Sequence, residues 1–161
     1  MTARTKVGDV FSVPIGSGIK KYIQYVADDL TQLNSPVIRA FRDSYPLDAS
    51  PDLLDVVRGN VDFYAHVVLK WGIQMKLWER AGNVPFTGEL AALFRDSDDY
   101  GNPAVKVSHH WRVWKAGEDD QYIGKLEGDY RMAEIGVVVN PPSVVTRLRT
   151  GKYDFAYPGY S

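Results

Sequence analysis

Three histidines are the first residues to weigh for chemistry, and their spacing works against a shared metal. His109 and His110 are adjacent, so on a strand they point to opposite faces, and no His-x-x-x-His pair exists. His66 lies far from both in the chain. His109 shares the apolar parity of its segment and reads as a core or half-buried residue, whereas His110 reads as solvent-facing. The carboxylate groups Asp28-Asp29, Asp98-Asp99 and Glu118-Asp119-Asp120 fall in stretches that read as turns or loops, where Asp bonds to nearby backbone. General acid–base catalysis asks for a buried, shifted carboxylate instead. For nucleophilic chemistry there is no Gly-x-Ser-x-Gly elbow, and Gly16-Ser17-Gly18 reads as a hairpin turn. Neither Gly-x-Gly-x-x-Gly nor a P-loop occurs. With no cysteine, disulfides, thiolate catalysis and Cys-ligated zinc are excluded. The residues therefore give no catalytic set, no metal ligands and no expected cofactor.

Charged surfaces remain. Glu118, Asp119, Asp120, Glu127 and Asp129 lie within one hairpin and its edge, and Asp96, Asp98 and Asp99 form a second acidic loop. Such clusters serve either as solvated loops or as a face for a basic partner, where charge complementarity speeds encounter. Asp98, Asp99, Glu118, Asp119, Asp120, Glu127 and Asp129 are the partner-binding candidates. The mirror case is the C-terminus, where Arg147, Arg149 and Lys152 stand beside Tyr153, Phe155, Tyr157 and Tyr160. Arg and aromatic residues are enriched at protein interfaces and also stack on unpaired bases. The alternative is a tail that packs on the body, its Arg stems lying along apolar surface.

The elements that would position these residues read as short β runs broken by Gly, Pro and Asp. Asp9–Ile15 and Ile19–Ala27 form a hairpin, with Pro14 marking an edge or an end. Residues 36–42 form a third strand. Ser50 as cap and Pro51 as first residue open a helix that Gly59 ends. Val61 to Leu69 alternates as a strand. Trp71 to Arg80 reads as a strand or a short helix, with a turn forced at Gly82-Asn83 and Pro85. Glu89 to Phe94 suggests a helical turn. Val105 to Val113 alternates as a strand, paired with Gln121 to Leu126 across the Gly117–Asp120 turn. Tyr130 to Val139 reads as another strand, and Asn140-Pro141-Pro142-Ser143 opens a short helix, Val144 to Thr150, stopped by Gly151. The aromatic tail is expected to dock. Trp71, Trp78, Trp111 and Trp114 are mostly core, with Trp114 off the parity of Trp111 and marking a surface pocket or strand end.

The totals fit this picture. A chain of 161 residues suggests one domain with a core of its own. It carries 19 Lys plus Arg against 20 Asp plus Glu, a net charge of −1, so nothing global draws it to phosphate backbones and no nucleic-acid partner is expected. Apolar runs such as Val137-Val138-Val139 are far below the roughly 20 residues that span a bilayer. The polar stretch from Met1 to Lys6 lacks a signal core, so a cytoplasmic location without membrane contact is the default. The expected fold is α+β and β-rich: a curved antiparallel sheet or small barrel with two or three short peripheral helices.

Val7-Gly8-Asp9-Val10-Phe11-Ser12-Val13-Pro14 resembles the opening of the immunity protein 26 family. The strand around Phe41 and the segment Trp78-Glu79-Arg80-Ala81-Gly82-Asn83-Val84-Pro85 fit the same pattern. The resemblance spans about residues 6–86. It implies an immunity protein that binds and neutralises a cognate bacterial toxin domain by occlusion. The same first strand is similar to that of small β-barrels, including toxins of the MazF and PemK type. That leaves a nucleic-acid-binding or toxin-like barrel as a second reading, and a small hydrolase with an unrecognised site as a third.

Overall fold

Strand-forming residues fill both faces of the first sheet, and this sets the architecture. In the computed structural model, residues 4–161 are described, so the first three residues of the polar N-terminal stretch lie outside the description. Strands β1 (Asp9–Gly16) and β2 (Ile19–Asp29) form the expected hairpin, turned by Ser17 and Gly18 at positive φ. β3 (Ser35–Phe41), β4 (Tyr45–Pro46) and β5 (Val61–His66) follow, and β6 (Glu79–Asn83) returns to pair with β1. The order is β5-β3-β2-β1-β6, antiparallel throughout, with β4 on the end of β2. β6 covers β1 only from Asp9 to Ser12, so Pro14 lies where β1 has no neighbour on that side.

The second sheet is smaller: β7 (Leu93–Ser97), β8 (Trp111–Lys115), β9 (Gln121–Gly124) and β10 (Glu134–Ile135), in the order β10-β7-β8-β9. All its pairs are antiparallel except β10 with β7. Both sheets are open, so of the two expected architectures the antiparallel sheet is the one formed and the barrel is not. The helices are α1 (Leu53–Val57), α2 (Leu69–Gln74) and α3 (Pro141–Thr150).

One face of the first sheet packs Phe11, Val13, Ile23, Ile38 and Phe63 against Val144 and Leu148 of α3 and Trp78. Its other face packs Val10, Tyr22 and Phe41 against Val56 of α1, and Val26 and Val37 against Phe94 and Trp114 of the second sheet. Each fully buried side chain of this kind contributes about 1.5–3 kcal/mol. Because both faces are covered, β1 is buried without a break from Asp9 to Val13 rather than alternating.

Several boundaries differ from the sequence reading. The cap of α1 is Asp52, whose carboxylate accepts from the Leu54 amide, and the helix starts after Pro51 rather than at it. The ambiguous segment resolves into both forms, helix α2 and then strand β6. Gly82 and Asn83 belong to β6 instead of making a turn, since Asn83 bonds Asp9 across the pair. Residues 89–92 form no helical turn. The long alternating run from Val105 becomes a strand only at Trp111. The buried Ser108 hydroxyl binds Ser97, Asp99 and the His110 amide, and that network holds the chain as a loop. In place of a strand from Tyr130 there is a 3-10 turn (Gly128–Met132) and the two-residue β10. The helix α3 starts at Pro141, three residues before the expected Val144, because Asn140 caps it, and it stops as expected at Gly151, at φ 90°. The tail docks through a bridge between Val107 and Gly159.

Candidate functional site

The seven acidic candidates divide among three places. Glu118 and Asp119 are exposed at the tip of the β8–β9 turn. Glu127 and Asp129 are exposed just beyond the other end of β9, with Lys125 3.9 Å from Glu127. Together they bracket an edge strand of four residues, roughly 13 Å long. No strand lies on the outer side of β9 among the described residues. Its side chain Tyr122 is exposed, bonds His110 Nδ1 through its hydroxyl, and lies under the Arg112 guanidinium. Beside the strand is a concavity of about 540 Å³ lined by Ile123, Lys125, Glu127, Asp129 and Tyr130.

The other three acids are engaged. Asp98 and Asp120 share Arg112, at 3.0 and 3.4 Å. Asp99 accepts from Ser108 Oγ at 2.6 Å and so shapes its own loop. Exposed pairs of this kind are worth at most about 1 kcal/mol, but they spend charge that a partner would otherwise meet.

One of the two histidine readings is overturned. His109 is exposed, because the chain is not yet a strand there, and His110 is exposed as expected. His66, on the polar parity of β5, is fully buried, since the end of β5 is covered by the second sheet. It bonds Asp29 at 2.9 Å. Asp29 is no turn residue: it ends β2, fully buried, and also accepts from Trp114 Nε1 and the amides of Gly117 and Gln32. Burial pushes its carboxyl up, but these bonds outweigh it and hold the pKa below the usual carboxylate range. An ionised Asp29 only accepts, so His66 Nε2 carries the proton and Nδ1 is left without a partner. Burial lowers the imidazole pKa against the raising effect of Asp29, which keeps the ring neutral. With its acceptors filled by protein donors, Asp29 ties the two sheets together. Trp114 is accordingly buried, not at a surface pocket, while Trp71 is exposed.

A second basic and aromatic site lies under the C-terminal tail. Arg95 of β7, Arg131 of the 3-10 turn, Glu134 of β10, Arg147 of α3 and Lys152, Tyr153 and Phe155 of the tail line a cavity of about 430 Å³. Arg147 pairs with Glu134 at 3.3 Å and lies over the rings of Phe63 and Tyr153. Arg95 donates through Nη1 to the Ala133 carbonyl and sits over Trp111 and Tyr160, yet its buried Nε has no acceptor. The buried Tyr153 hydroxyl also lacks a partner: Arg147 is close enough to act on its pKa but not in hydrogen-bonding geometry. Burial pushes that phenol up to about 12. Arg147, Lys152 and the tail aromatics were legible from composition; Arg95, Arg131 and Glu134 were not, since three separate elements bring them together.

No group of three or more His, Asp or Glu side chains is arranged to hold a metal among the described residues. No helix in that range is long and apolar enough to cross a membrane. Comparison with protein-family models, curated proteins and solved structures finds no match for this chain.

Proposed function

We propose that this chain is an immunity protein that binds a cognate bacterial toxin domain and occludes its substrate site. The observation that carries the reading is the open β9 edge bracketed by Glu118 and Asp119 at one end and Glu127 and Asp129 at the other. An open edge offers unpaired backbone groups to an incoming strand. Acidic groups at both ends favour a basic partner, as a nuclease-type toxin would be, and the adjacent concavity suits a basic side chain. The net charge is only −1, so the attraction is local to this edge.

The resemblance supports the same reading from another side. Its two best segments pair as β1 and β6, with Asp9 bonding Arg80 at 3.0 Å and Asn83 at 2.9 Å. Gly8 is required there at φ 99°, where an added Cβ would meet the Val84 carbonyl at 2.9 Å. The shared residues thus build a scaffold, and binding falls to the second sheet.

The reading expects a toxin gene beside this one, and the test is co-expression with the toxin domain it encodes. Growth rescue with a co-purifying complex is the expected result. A toxin that still kills and does not co-purify overturns the reading.

A further inference from the structure

The cavity under the tail lies on the other side of the 3-10 turn from the concavity beside β9 and has features of a built ligand site. Four cations line it, Arg95, Arg131, Arg147 and Lys152, against the single carboxylate of Glu134. Arg147 is committed to Glu134. Arg95, Arg131 and Lys152 have no side-chain carboxylate within ion-pair range among the described residues, although Arg131 donates to the Leu126 and Ser161 main-chain oxygens at 3.4 and 3.1 Å. In a chain whose charges otherwise nearly cancel, three uncompensated cations around one concavity favour an anion. Two buried donors there are unused, Arg95 Nε and the Tyr153 hydroxyl. A buried donor without an acceptor is costly, and an oxyanion offsets that cost. The remaining wall is apolar, from Met132, Ile135 and Phe155, and the volume is that of a small-molecule pocket.

We propose that this cavity binds a small phosphomonoester, its phosphate held by Arg95, Arg131, Lys152 and the Tyr153 hydroxyl and its organic part against Ile135 and Phe155. Phosphate is favoured over carboxylate by number and charge. Three cations and a hydroxyl present more donors than one carboxylate can accept from, and they balance a dianion better than a monoanion.

The experiment uses the chain alone, so its outcome is independent of toxin binding. Phenyl phosphate and benzoate are titrated by calorimetry at constant ionic strength in phosphate-free buffer, against the parent and the variants Lys152→Glu and Tyr153→Phe. Saturable one-to-one binding of phenyl phosphate is expected, at least about tenfold tighter than benzoate. Each variant should weaken it about tenfold, with the Tyr153→Phe melting temperature no lower than the parent's. The proposal is overturned by no saturable binding up to about 10 mM, by equal affinity for both anions, or by variants that bind as the parent does.

Discussion

Asp29 and His66 meet across 37 residues of sequence at the seam between the sheets. Removing the carboxylate strands the donors of His66, Trp114, Gly117 and Gln32 together. Asp29→Ala should therefore cost about 3–5 kcal/mol in urea denaturation, as for one partner lost from a buried charged network. The pH dependence has a definite sign. The folded pKa of His66 lies below its ordinary 6.5, so the unfolded chain takes the proton first. Its contribution is complete above about pH 6.5 and is lost as pH falls below that value. Asp29, with its pKa depressed, acts lower down: its contribution holds above about pH 3.9 and is lost on further acidification. Glu134 and Asp96 are raised by burial and act in the opposite sense. His66→Gln keeps a donor for Asp29 and removes the titration. The fall in stability between about pH 6.5 and 5 should be shallower in that variant than in the parent; equal slopes would exclude the assignment. Neither residue announced this role. Asp29 read as a turn because it follows another Asp, and His66 sits on the polar parity of its strand. The burial that decides both comes from the second sheet, which β2 and β5 do not encode locally.

At the scale of elements, local rules served wherever a strand or helix makes its own boundary. The β1–β2 hairpin and α3 were legible because Gly18, Asn140 and Gly151 supply the backbone conformations or caps that those ends need. Elements ended by distant contacts were not legible. The loop before β8 is held by Ser97 and Asp99 through Ser108, and alternation in residues 105–110 gives no sign of it. Helix α2 is another case. Gly72 lies under the Trp78 indole, and a Cβ there would approach ring atoms to 2.0 Å. Alanine raises helix propensity by about 1 kcal/mol at an exposed site. Here packing wins, and Gly72→Ala should destabilise the protein by about 2–3 kcal/mol in thermal or urea unfolding, with a red-shifted Trp78 emission. A stabilised variant would contradict the close packing of α2 on Trp78.

At the scale of the molecule, a larger sheet covered on both faces carries a smaller one, and what sets the β9 edge of the smaller sheet apart is the acidic residues at its two ends. The α+β, strand-rich class follows from the many short β runs and few helices. The order of strands does not, because β6 pairs with β1 across some 70 residues and β10 with β7 across about 40. The acidic candidates were found by composition, but three of the seven are tied up by Arg112 and Ser108, partners that only the folded chain supplies. Charge reversal at the exposed pair, Glu118→Lys with Asp119→Lys, should leave the melting temperature within a degree or two. Under the proposed function it should slow association with the toxin about tenfold and flatten its salt dependence, measured by surface binding at several ionic strengths.

The most direct measurement is amide hydrogen exchange of the chain alone and in complex with the toxin domain. New protection is expected in β9 and in the segments 118–120 and 127–129 that flank it. A complex that leaves these amides exchanging as in the free chain, with protection gathered on another face, would contradict binding through this edge.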